Sequence, residues 1–170
     1  RTAMTMAMTT SKTSYRAGHS PLPSGVFVAP FPDHYASGES SPTAVDRCIA
    51  GLEWLLKTQT APSETAAIVI EPVLGEGGYV PAPAGYLEAV ESICRRHGIL
   101  LVMDEIQSGF GRTGRMFASK NSTCCELGAG PIPFSAWLAR ATSKAADMRI
   151  AAVAAKAQHG WPFQISLDRR

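Results

Sequence analysis

Between Thr43 and Lys57 the apolar residues Val45, Cys48, Ile49, Leu52, Leu55 and Leu56 recur at three- and four-residue steps, the stripe of an amphipathic helix. The period then changes. Ala66 to Val73 is a short β-branched run, with Pro62 before it and Pro72 and Gly75 near its end, and it predicts a buried strand. Helical spacing returns from about Ala84 to His97, with Leu87, Val90, Ile93 and Cys94 on one face and Gly98 as the stop. Ile99 to Ile106 predicts a second buried strand. A strand, a helix and a strand, with both strands apolar on both faces, describe a βαβ unit and hence a parallel-rich α/β sheet with flanking helices. Upstream, residues 1 to 18 are compatible with a helix ending at Gly18, and Pro21 to Pro32 predicts an extended, ordered loop. After Ser119 the pattern breaks at Asn121 to Cys125 and Gly128 to Pro131, and a helix is expected near residues 136 to 146 of the Ala-rich tail. No internal repeat is visible.

In parallel sheets of this kind ligands sit at the carboxyl ends of the strands. Two acidic clusters fall there: Glu71 to Glu76 after the first strand, and Asp104 with Glu105 at the end of the second. That placement raises them above ordinary surface charge.

Composition narrows the classes. The 170 residues are 45% hydrophobic and 18% charged, the balance of a soluble globular domain. A net charge of +2 with scattered Lys and Arg offers no footprint for nucleic acid, and no apolar run is long enough to cross a bilayer. Cys48, Cys94, Cys124 and Cys125 form neither a disulfide framework nor paired C-x-x-C zinc spacing, so reduced thiols and no metal site are expected. Cys48 and Cys94 fall on the apolar faces of the helices and read as small core residues. The chain starts at Arg1 rather than Met, so any targeting segment is out of view. A soluble protein of the cytoplasm or mitochondrion fits, and the compartment stays open.

The strand ending in Asp104-Glu105 would also suit the magnesium-holding strand of a P-loop ATPase, but no G-x-x-x-x-G-K-S/T segment accompanies it. Gly109-Phe110-Gly111-Arg112-Thr113-Gly114 matches the spacing G-x-G-x-x-G after a strand. A dinucleotide fingerprint should open a helix there, yet Arg115-Met116-Phe117 continues without a helical stripe, which favours a Gly-rich turn.

Three stretches together are more specific. Glu71-Pro72-Val73-Leu74-Gly75-Glu76-Gly77-Gly78-Tyr79-Val80-Pro81, then Gly85-Tyr86-Leu87, then the run from His97 to Gly114 through Asp104-Glu105-Ile106-Gln107-Ser108-Gly109 closely resemble the signature of class III pyridoxal-phosphate aminotransferases. Arg1-Thr2, Thr10-Ser11-Lys12 and Gly25-Val26-Phe27 fit the same family upstream. The resemblance covers roughly residues 1 to 119.

It implies that residues 1–119 are part of the cofactor-binding large domain of the type I pyridoxal-phosphate transferase fold, that 120–170 is a divergent or misread continuation, and that the small domain is absent. By resemblance, Asp104 is the carboxylate that pairs with the protonated pyridine nitrogen of pyridoxal 5'-phosphate. A buried anion there would keep the ring cationic and ready to accept electrons. Gln107 matches the residue that hydrogen-bonds the cofactor's phenolic oxygen. Glu71 matches a supporting carboxylate nearby, or is simply a buried, hydrogen-bonded strand-end acid. Glu76 matches the acid that pairs with a distant arginine and releases it to a substrate carboxylate. The partners implied are an amino donor, a keto acid and a second copy of the chain in a homodimer.

The chain departs from the family where the Schiff-base lysine should stand. No Ala-Lys-Gly segment is present. Running the register back from Arg149 to Lys156, which resembles a later family stretch, puts Thr142 near the lysine's place and Lys144, two residues away, as the nearest candidate. A frameshift, a retained intron or genuine divergence each accounts for this. The expected function is transamination between an amino acid, ω-amino by the resemblance, and a keto acid, as part of a longer enzyme. A decarboxylase or aminomutase is the alternative within the family. A remnant that lacks the lysine, and is inactive or only binds cofactor, is the alternative outside catalysis.

Overall fold

The computed structural model describes residues 2–121 and the backbone of residues 156 and 157. Its elements run α1 (Ala3–Met8), β1 (Pro30–Phe31), α2 (His34–Ser37), α3 (Ser41–Thr58), β2 (Ala67–Ile70), β3 (Val73–Leu74), β4 (Val80–Pro81), α4 (Tyr86–His97), β5 (Leu100–Met103) and β6 (Lys156–Ala157). Short 3₁₀ turns occupy Thr13–Tyr15, Pro62–Glu64 and Ala118–Asn121.

Local chemistry sets the helix ends. The Ser40 hydroxyl accepts the Thr43 amide and caps α3, and Pro42 in the first turn lacks only an N–H that would be unpaired there anyway. The helix therefore begins at Ser41, two residues before Thr43 and four before the first residue of the apolar stripe, Val45. Gly98, with φ +66°, turns the chain out of α4 in the left-handed conformation, and the Ile99 amide bonds back to the Cys94 carbonyl at 2.9 Å.

The central ladder is β2 beside β5, parallel, with Ala67 opposite Leu100 and Ile70 opposite Met103. The βαβ order read from the pattern is thus present, with α4 as the crossover. Ile68 and Ile70 pack against Leu52, Leu55 and Leu56 of α3 and Val90, Ile93 and Cys94 of α4 in one core. Each such side chain contributes about 1.5–3 kcal/mol by leaving water. Phe31 and Tyr86 close the core edge-to-face at 5.5 Å, and the Tyr86 hydroxyl donates to the Pro30 carbonyl. Cys48 and Cys94 are free and buried, as the helical spacing implied. Burial pushes the Cys94 thiol up to about 12, with Glu91 adding repulsion, so it is a core group rather than a reactive one.

The strands differ from expectation in two ways. They are shorter: β2 stops at Ile70 because Pro72 has no N–H to extend a ladder, and Val73–Leu74 pairs instead with Val80–Pro81 in an antiparallel hairpin. β5 stops at Met103 because the Asp104 carboxylate accepts the Ile106 amide and turns the chain. Nor are both faces buried. β2 alternates between half-buried and buried residues, and all four residues of β5 are half-buried within the described residues. β6 pairs in parallel with β1, Pro30 opposite Lys156. The helix expected near residues 136 to 146 lies outside the described residues.

Candidate active site

Parallel pairing brings the ends of β2 and β5 level, and the Asp104 amide continues the ladder by bonding the Ile70 carbonyl at 2.8 Å. Glu71 and Asp104 therefore leave the sheet side by side. They are close enough to sense each other's charge. Burial pushes the Glu71 carboxyl above its ordinary value; the Gly75 amide, 2.9 Å from Glu71 Oε2, works against this, while Asp104 and then Glu76 add like-charge repulsion.

Asp104, expected to be buried, is half-buried. Ile68 and Ile70 on one face of β2 are buried against the helices, whereas Ala67 and Val69 on the other are only half-buried within the described residues. One Asp104 oxygen accepts the Ile106 amide at 3.1 Å. The other takes no hydrogen bond from the described residues, which leaves it available to a cationic donor such as a protonated ring nitrogen.

Gln107 arrives from the turn after β5 and lies against the loop after β2. A Cβ built on Gly75 would collide with the Gln107 carboxamide, so the two loops touch at a position only glycine leaves open. Gly75 is itself held by Glu71. A chain of contacts thus links Glu71, Gly75 and Gln107 across the strand ends. The carboxamide remains exposed, as a group that meets a ligand must be.

Glu76 points elsewhere. Its Oε2 accepts from the Tyr15 hydroxyl at 3.3 Å and pairs with Lys12 Nζ at 3.5 Å, while Lys12 also lies 5.8 Å from the centre of the Tyr15 ring. Both members of the pair are about half exposed, so it contributes no more than about 1 kcal/mol. Lys12 belongs to the Thr10-Ser11-Lys12 stretch that fits the family, whereas Tyr15 falls in none of its motifs. Nothing in the local pattern links them to Glu76, more than sixty residues away.

Glu105, in sequence only the second acid of a pair, is the most heavily bonded carboxylate among the described residues. It accepts Ser108 Oγ at 2.6 Å, the Ala118 amide at 2.9 Å and the Ser119 amide at 2.8 Å. Burial opposes its charge, but these donors outweigh burial and hold the carboxyl below its ordinary value. Gly109 to Gly114 forms turns rather than a helix start, as the missing stripe predicted. Lys144 lies outside the described residues, so its place relative to Asp104 is not among the contacts above.

The sequence profile of the family described as aminotransferase class-III matches residues 1–145. The chain belongs to the class-III aminotransferases. Among curated relatives of this family, the 5-aminovalerate aminotransferase of Pseudomonas putida is 43% identical over 69% of this chain and 27% of its own length. A thermostable (S)-enantioselective ω-transaminase from Thermomicrobium roseum superposes with a TM-score of 0.63 at 34% identity, covering 69% of this chain and 27% of that one. A taurine:2-oxoglutarate aminotransferase from Bifidobacterium kashiwanohense, solved with pyridoxal phosphate and glutamate, gives 0.51 at 36% identity, over 54% of this chain and 21% of that one. The chain spans about a quarter of the length of the class-III relatives it matches. Its α/β fold with a parallel sheet is the corresponding portion of the transaminase fold. Class-III aminotransferases are pyridoxal-phosphate enzymes, and the half-buried Asp104 carboxylate, with one oxygen that takes no hydrogen bond from the described residues, is an acceptor that fits a protonated pyridine nitrogen. No helix among the described residues is long and apolar enough to cross a membrane.

Proposed function

We propose that these residues form the strand-end half of a pyridoxal-phosphate site in an enzyme that exchanges an amino group between an ω-amino acid and a keto acid. The observation that carries the reading is the alignment of Asp104 and Glu71 at the ends of two paired parallel strands, with Gln107 laid on Gly75 beside them. Family membership supplies the reaction class. The relatives named for 5-aminovalerate and 4-aminobutyrate supply the ω-amino donor, and the one named for 2-oxoglutarate supplies the keto acid.

Asp104 holds a positive charge on the ring nitrogen through its available oxygen. Glu71, whose carboxyl is pushed up chiefly by burial and further by Asp104, takes up a proton more readily than an ordinary carboxylate, which eases the like-charge repulsion beside Asp104. Gln107 offers its carboxamide to the cofactor's phenolic oxygen from the opposite loop. When bound, the cofactor supplies the electron sink for breaking the donor's Cα–H bond. Glu76, exposed and paired with Lys12, stands toward the substrate's carboxylate end, where the family's distant arginine would meet it. A lysine must move the Cα proton, and Lys144 is the nearest candidate in this chain.

The test uses a protein of the relatives' full length carrying these residues, with 4-aminobutyrate or 5-aminovalerate as donor and 2-oxoglutarate as acceptor. Amino transfer is expected, and Asp104→Ala should reduce it on the order of a hundredfold or more. Absence of transfer from any amino donor, or normal turnover in Asp104→Ala, would defeat the reading.

A further inference from the structure

Asp104 and Glu105 leave β5 in succession, so their side chains diverge. Asp104 stays at the strand end, whereas Glu105 reaches the far limb of the loop that follows. Through its carboxylate it binds Ser108 near the start of that loop and the amides of Ala118 and Ser119 at its end, thirteen and fourteen residues away. Its main-chain oxygen takes the Gly109 amide at 2.8 Å. One residue therefore gathers both ends of the loop.

Hydrophobic burial does not hold this loop among the described residues. Ile106 and Phe110 are 87% and 85% exposed, and Met116 also faces outward. The buried residues of the stretch are Ser108, Gly109, Ala118 and Ser119, which are the ones around Glu105. Hydrogen bonds to an ionised acceptor are roughly twice as strong as neutral ones, which makes the carboxylate the dominant tie. The other links that cross the loop, Gly111 to Met116 at 3.4 Å and Asn121 to Thr113 at 3.3 Å, are long, and those of Arg112, Gly114 and Lys120 close only local turns.

We propose that Glu105 is a positioning residue: its carboxylate clasps the 105–119 loop closed and thereby holds Gln107, two residues on, against Gly75. That Gln107 then serves a cofactor rests on the transaminase reading; the clasp itself does not. In the protein, Glu105 supports the reaction without touching the reacting atoms.

The test is amide exchange and side-chain NMR on the 170-residue chain, without cofactor. In Glu105→Gln, exchange at Ala118 and Ser119 should quicken about tenfold, and the Gln107 side-chain amide should shift, while the amides of α3 and α4 keep their protection. Glu105→Asp, which keeps the charge, should recover part of the protection. In Glu71→Gln, which removes the neighbouring carboxyl that titrates above 4.5, the Gln107 and Ala118 signals should respond to acid with a midpoint below 4.5, since the donors hold Glu105 low. This titration decides the matter even where Glu105→Gln does not fold. Unchanged protection in Glu105→Gln, or a Gln107 midpoint above 4.5 in Glu71→Gln, overturns the proposal. Failure of the clasp leaves the transamination assay untouched, and failure of that assay leaves the clasp standing.

Discussion

The Gln107 carboxamide rests against the α-carbon of Gly75, on the side where every other residue carries its Cβ. The atoms that would be struck are the far end of an exposed, flexible side chain, so the contact can yield. Gly75→Ala is therefore expected to cost under about 1 kcal/mol of stability while displacing Gln107. Urea denaturation checks the first part and the Gln107 side-chain amide resonance the second. Adding Gln107→Ala should abolish whatever cost remains; a large cost that persists in the double variant would mean the glycine answers to something else.

Gly109 makes the contrasting case. Its Cβ would stand 2.7 Å from the Glu105 main-chain oxygen, and backbone cannot swing aside as a side-chain tip can. Gly109→Ala should destabilise the chain by about 1–3 kcal/mol, more than Gly75→Ala. Equal denaturation midpoints for the two variants would contradict this geometry.

Glu71 predicts a pH dependence of definite sign. Its carboxyl is pushed up on folding, chiefly by burial, so the folded state holds the proton more tightly than the unfolded one. That contribution to stability is fully present below the ordinary value of 4.5 and is lost as pH rises through the raised value. Glu71→Gln should flatten the stability profile in this window. A profile that keeps its slope there would place the titration on another group.

Lys144 is expected to form no productive bond to pyridoxal phosphate in the 170-residue chain. On the helix expected near residues 136 to 146 a side chain shifted two residues from the family position points to a different face, and a working lysine tolerates displacement of only about half an ångström. Incubation with the cofactor, borohydride reduction, digestion and mass spectrometry should find no stoichiometric label at Lys144. Labelling confined to Lys144 together with amino-donor turnover would make it the catalytic base.

Helices α3 and α4, the two core strands and the strand-end placement of Asp104 and Glu71 were legible in the sequence, because periodic burial and Gly or Pro punctuation are local signals. Leu52 and Val90 sit in the core for the reason their spacing implies, and Gly98 ends α4 because only a residue at ease with φ +66° turns there. Family motifs added the roles assigned to Asp104, Gln107, Glu71 and Glu76. Tertiary structure alone decided the rest. It set where each strand stops, because Pro72 and the Asp104 side chain redirect hydrogen bonds that the apolar pattern does not register. It paired Glu76 with Lys12 and Tyr15 and bound Glu105 to Ala118 and Ser119, contacts between residues far apart in the chain. Periodicity reports which face of an element is apolar; it carries no information about which distant loop a charged side chain will meet once the sheet has brought the strand ends together.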